Sequence, residues 1–114
     1  MLDVGDQLQI FKTEFFRALA HPIRIRILEI LSDGDRSVQE LQDELKVDQP
    51  LVSQQLAVLR GKNIVASRKL GTTVKYAIRD PLVGDLLKTA RLIFENHLKD
   101  TQTMLRELRK QGRA

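Results

Sequence analysis

Between Gln49 and Arg79 the chain carries six basic residues and no Asp or Glu. The run opens Gln49-Pro-Leu-Val-Ser-Gln-Gln-Leu-Ala-Val-Leu-Arg60, whose polar positions are Ser, Gln and Arg. Such side chains donate to phosphate oxygens and also match the donor and acceptor pattern of base edges. The preceding segment, Asp35 to Asp48, is the reverse, with five acids against two bases. A charge boundary this sharp in a short chain marks a surface that meets a polyanion. Duplex DNA is the leading partner, and a solvated basic face with no partner is the plainer alternative. The candidate contacts are Gln49, Pro50, Ser53, Gln54, Gln55 and Arg60 in the first run, then Arg68, Lys69, Thr72 and Lys75 beyond it. Ser53 and Gln54 are the expected base readers, because a helix face chosen only for solubility would carry Glu and Lys.

Other chemistries have little to work with. The 114 residues include no cysteine, which excludes disulfides, thiolate metal sites and sulfur nucleophiles. There are two histidines, no glycine loop of the phosphate-cradling kind and no paired carboxylates at a plausible cleft, so an enzyme is not expected. The formal charge of +4 favours an anionic partner, and 42% hydrophobic with 30% charged residues describes one globular domain over 1–114. No apolar run approaches the roughly 18 residues of a membrane span, and the N-terminus lacks a signal pattern. The sequence thus predicts a cytoplasmic protein without a membrane partner.

The elements that must position these residues follow from periodicity. Leu8, Phe11, Phe15 and Leu19 fall at helical spacing over Gln7 to Leu19, with Phe16 widening the stripe. Pro22 starts a second helix that runs to about Ser32 and stops at Gly34, with Ile23, Ile27, Ile30 and Leu31 inward. Arg24 and Arg26 fall mostly on its other side, close to the basic region. Ser37-Val-Gln-Glu40 reads as a capping box for a short helix that turns Val38, Leu41 and Leu45 inward. After Lys46-Val-Asp48, Asp48 is the expected cap of a fourth helix, in which Val52, Leu56 and Leu59 face the core. Gln49, Ser53, Gln54 and Ala57 face away from it. Val74, Tyr76 and Ile78 alternate with polar neighbours as a strand does, and Ile64 to Arg68 is the matching partner across a turn at Lys69-Leu-Gly-Thr72.

The order is a mostly α fold with a small β-hairpin: a winged helix-turn-helix of about five helices and a two-stranded wing. The helix-turn-helix spans 35–60 and the wing 64–78. A long helix over 82–109 repeats Leu87, Ala90, Phe94, His97, Thr101, Met104 and Leu108 at steps of three and four. At about 1.5 Å per residue it is about 40 Å long, more than a small domain covers by itself. A homodimer through the terminal helices is therefore expected, using Leu87, Phe94, Met104 and Leu108 with Phe11 and Phe15 of the first helix. Disorder is expected in the first five residues and from Lys110 to Ala114.

From about Glu14 to Ile78 the chain resembles the ArsR/SmtB type of winged-helix transcriptional repressor. Phe16-Arg-Ala-Leu-Ala-His-Pro-Ile-Arg-Ile-Arg-Ile-Leu28 is similar to that family's opening helices, Gln49 to Arg60 to its recognition helix, and Gly71-Thr-Thr-Val-Lys-Tyr76 to its second wing strand. The resemblance implies a dimer that binds an operator in double-stranded DNA. Two departures stand out. Gln55 replaces the histidine usual in the recognition helix, and Glu40-Leu-Gln-Asp-Glu44 replaces the thiolate motif. Sensing of arsenic, cadmium or persulfide through that motif lacks its soft ligand.

Members of the resembled family often bind zinc, nickel or cobalt between C-terminal helices through paired Asp, His and Glu ligands. Here His97 with Asp100, or Glu95 with His97, supplies half of such a site. Completion falls to His21, Asp85, Asp3 or the N-terminal amine, a set suited to nickel or zinc. His21 before Pro22 reads equally as a helix cap, and His97 as a residue of the helix seam. The effector, and whether there is one, stays open, as does the rival reading of a winged-helix module that binds protein.

Overall fold

The computed structural model describes residues 3–112. Five helices and one hairpin follow in the order α1 (Val4–Leu19), α2 (Pro22–Leu31), α3 (Val38–Leu45), α4 (Gln49–Gly61), β1 (Val65–Leu70), β2 (Thr73–Ile78) and α5 (Pro81–Gly112). This is a winged helix-turn-helix. Contacts group the chain into two compact units, Met1–Gly84 and Asp85–Ala114. Among the described residues the second unit is a single helix, and a lone helix has no second layer in which to bury its apolar face.

The core of the first unit is built where helical period and tight turns bring apolar stripes together. Ile27, Leu28, Leu41, Val52, Leu56, Leu59 and Val65 are all but fully buried. Each such side chain contributes about 1.5–3 kcal/mol relative to exposure. Leu28, absent from the face expected for α2, is central to it, whereas Ile23 and Ile30 are half-buried. The reason is a rotation of the helix that places 27, 28 and 31 inward together.

The helix ends are set by local hydrogen bonds. Asp3 caps α1 by accepting from the Asp6 N–H at 2.7 Å, so the helix starts at Val4 and not at the expected Gln7. At the other end of the chain α5 continues through Gly112. The disorder expected over the first five residues and from Lys110 is thus replaced by helix at Val4, Gly5 and Lys110 to Gly112; residues 1, 2, 113 and 114 lie outside the described residues. His21 caps α2 through Nδ1, which accepts from the Ile23 N–H at 3.1 Å. The capping box of α3 forms as read, with the Glu40 N–H donating to the Ser37 hydroxyl at 3.1 Å and the Ser37 N–H to Glu40 Oε1 at 3.0 Å.

Lys46 closes α3 in the left-handed region, φ 57°, and its N–H meets the Gln42 carbonyl at 2.8 Å. That conformation costs a non-glycine residue roughly 1–2 kcal/mol, and it ends α3 so that the chain can turn into α4. Asp48 occupies the N-cap position of α4 but its carboxylate takes none of the helix N–H groups. Its backbone carbonyl does instead, from Leu51 and Val52.

The hairpin is longer than expected. Lys69 and Leu70 pair with Val74 and Thr73, leaving a two-residue turn of Gly71 and Thr72. Gly71 sits at φ 65°, the first position of a tight hairpin turn where glycine alone is unstrained. Arg36 adds a short third rung by exchanging backbone hydrogen bonds with Tyr76 at 3.0 and 2.7 Å. The wing is therefore fastened to the start of α3 as well as to itself.

Candidate nucleic-acid interface

Helical period puts Gln49, Pro50, Ser53, Gln54, Ala57 and Arg60 on the exposed side of α4. The opposite side carries Val52, Leu56 and Leu59 into the core. A cleft of about 450 Å³ opens between α4 and β2, lined by Ser53, Leu56, Ala57, Arg60, Gly61 and Tyr76. Small residues at 57 and 61 keep it open. Ser53, Arg60 and the phenol of Tyr76 give it donors suited to phosphate and sugar oxygens. Tyr76 is missing from the sequence-derived set because its alternation marks it as a half-buried strand residue, which it also is.

Gln55 is not on this surface. It is 7% exposed, and its Oε1 accepts from Arg24 Nη1 at 2.9 Å. The expected DNA contact at Gln55 is corrected by its place three residues after Val52, inside the apolar stripe. Arg24 likewise turns inward, donating through Nε to the Ala18 carbonyl at 2.6 Å, while Arg26 is exposed.

On the wing, Lys69 and Thr72 are exposed near the tip. Arg68 meets Asp35 at 3.4 Å, and Lys75 forms an ion pair with Glu40. Two of the basic residues expected to meet phosphates thus begin paired with acids at the start of α3. The Lys75 hydrogen bond, aided by the Ser37 N–H, holds the Glu40 carboxyl from an ordinary 4.5 down to about 2. A carboxylate held low in the folded state stabilises it fully above its unfolded pKa and loses that contribution as pH falls through the folded value. The urea midpoint of the protein is accordingly expected to fall between about pH 4.5 and 2, less in Glu40→Gln. Equal slopes for the two proteins would contradict the pairing.

The metal candidates do not assemble. Among the described residues no group of three or more His, Asp and Glu is placed to hold an ion. His97 and Asp100 share one face of α5 at a spacing of three residues, and both are exposed. Glu95 pairs with Arg91 at 3.3 Å, while His21 and Asp3 serve as helix caps. Asp85 is exposed, and the N-terminal amine belongs to Met1, outside the described residues. One imidazole and one carboxylate fall short of the roughly four ligands that zinc takes.

A family model for bacterial regulatory proteins of the arsR family matches residues 21–67. The HTH-type transcriptional regulator Rv0081 of Mycobacterium tuberculosis is 43% identical over 111 residues, covering 96% of this chain and 97% of that one. The chain belongs to the ArsR family. The crystal structure of Rv0081 superposes on this ArsR-family chain with a TM-score of 0.75 at 44% identity, over 82% of this chain and 95% of that one. The solution structure of the homodimeric winged helix-turn-helix DNA-binding domain of Mb0332 from Mycobacterium bovis gives 0.79 at 25% identity, over 88% and 93%. The repressor SmtB of M. tuberculosis is 45% identical over 67 residues, 59% of this chain and 50% of its own. The family consists of transcriptional regulators and not enzymes, and no helix among the described residues is long and apolar enough to cross a membrane.

Proposed function

We propose that this ArsR-family chain is a dimeric, cytoplasmic repressor that binds a partly palindromic operator. The observation that carries the reading is that the exposed side of α4 and the wing contribute no acidic side chain of their own, Asp35 and Glu40 reaching the wing only as partners of Arg68 and Lys75. α4 enters the major groove from its N-terminal end, where Gln49, Ser53 and Gln54 approach base edges. Arg60, Tyr76, Lys69 and Thr72 hold the sugar–phosphate backbone, with Arg68 and Lys75 exchanging their acid partners for phosphate oxygens.

A second copy is the natural occupant of the apolar face of α5. Phe94 is 66% exposed and Met104 and Leu108 more than half so; Phe11 on α1 is 68% exposed. A single chain that leaves such side chains in water loses the largest available stabilisation. The Mb0332 domain is itself homodimeric, which supports a dimer here. Leu87 and Phe15, half-buried, extend the two faces.

Selection from a random-sequence duplex library tests the reading. The enriched duplexes should carry two inverted half-sites about 10–10.5 base pairs apart, one helical turn. Recovery of no common sequence would overturn it in favour of the protein-binding alternative.

Regulation by nickel or zinc belongs to this proposal only as a site shared between copies, with His97 and Asp100 given by each. One relative, from Streptomyces lividans, is named a probable mercury resistance operon repressor, which supports effector control by a metal ion. Calorimetric titration of the free and DNA-bound dimer with nickel or zinc should give heat that disappears in His97→Ala and changes on DNA. No heat, or the same heat without His97, would remove the site.

A further inference from the structure

We infer that Arg24 and Gln55 form a buried strut that sets the pose of the recognition helix, and so act as positioning residues for sequence discrimination. The inference rests on the operator-binding reading above. Gln55 is the one polar residue among the buried ones described, placed between Val52 and Leu59 on the inward side of α4. An amide in that stripe costs stability unless its oxygen is satisfied. Arg24 of α2 satisfies it at 2.9 Å, and the bond is charge-assisted.

The same guanidinium has a second partner. Nε donates at 2.6 Å to the carbonyl of Ala18, one residue from the end of α1. Carbonyls in a last helical turn lack intrahelical partners and carry the negative end of the helix dipole, so a cation there is favoured. One planar side chain therefore joins α1, α2 and α4, and its fork fixes the angle as well as the distance. Lys62 and Glu14 make another tie between α4 and α1 at 3.4 Å, but that pair is exposed and correspondingly weak.

The geometry has a functional consequence. Ser53 and Gln54 immediately precede Gln55, so a small rotation of α4 moves both away from base edges. Phosphate contacts by long basic side chains tolerate such a shift, whereas bidentate base contacts do not. Since α1 carries the Phe11 stripe offered to a second copy, the strut also relates each recognition helix to the dimer face. Glutamine does this without a titratable proton, so the tie keeps its strength through neutral pH.

The test uses the full chain and two probes: the duplex most enriched from a random library by the wild type, and its shuffled sequence. Gln55→Met keeps size and burial but removes the acceptor. It should lower affinity for the enriched duplex about tenfold while changing the shuffled one less than about twofold, and it should lower the thermal midpoint because Arg24 Nη1 loses its acceptor. Gln55→Glu keeps an acceptor for Arg24 and should retain discrimination. Arg24→Met should reproduce Gln55→Met, and the double variant should be no worse than either single one. If Gln55→Met keeps full discrimination, or loses affinity for both duplexes alike, the strut is overturned. Absence of enriched sequences with the wild type would instead overturn the operator reading itself. Should Gln55→Met fail to fold, Gln55→Glu against Arg24→Met decides on the same two probes.

Discussion

Phe94→Glu is expected to give a folded monomer whose affinity for the enriched duplex is lower by about two orders of magnitude or more. Two recognition helices joined in one dimer bind their half-sites with the second event intramolecular, which is worth roughly 10²–10⁴ in affinity. Removing the dimer removes that factor without touching a DNA contact. The side chain is 66% exposed in the single chain, so the substitution leaves the core of the winged unit as it is. A carboxylate on the apolar face of α5 would instead have to leave water in the proposed dimer, which is costly for an unpaired charge. Light scattering after size exclusion reads the assembly and fluorescence anisotropy the affinity. A dimer that persists, or a monomer with undiminished affinity, would contradict the proposed role of α5.

Ser53→Ala and Gln54→Ala are expected to cost about 1–3 kcal/mol each on the enriched duplex if a bidentate base contact is lost. Affinity for the shuffled sequence should barely move. Both side chains are exposed on α4, so neither change disturbs packing. Lys69→Ala, at the exposed end of the wing, should lower both affinities alike and flatten the salt dependence by about one phosphate equivalent. Arg68→Ala and Lys75→Ala should follow the same pattern with smaller effects, because each residue gives up an acid partner to reach a phosphate. Sequence preference altered by the wing changes and untouched by the helix changes would reverse the assigned roles.

The parts of this site legible in the sequence are those governed by local rules. The exposed row of α4 follows from a period of 3.6 residues, the capping box from two side chains three residues apart, and the hairpin from alternation around a glycine. Gln55 escapes because residue type outweighs position in such a reading: a polar side chain is assigned to solvent, yet here its partner lies thirty-one residues earlier on another helix. Arg24 escapes for the same reason. The acid partners of Arg68 and Lys75 are also distant in sequence, on either side of the Arg36 bridge to Tyr76. Local pattern again extends too little at the wing, where the tight turn at Gly71 draws Lys69 and Leu70 into the ladder. The long helix was plain from its heptad-like spacing, but what covers it is a property of an assembly and not of one chain.

The dependence of wild-type binding on salt and sequence together addresses the central claim that the basic face of α4 and the wing reads an operator. Dissociation constants for the enriched and shuffled duplexes should both rise steeply with salt, as counterion release requires. At physiological salt they should stay at least about 10³-fold apart. Weak binding that ignores salt, with the two duplexes bound equally, would contradict the account.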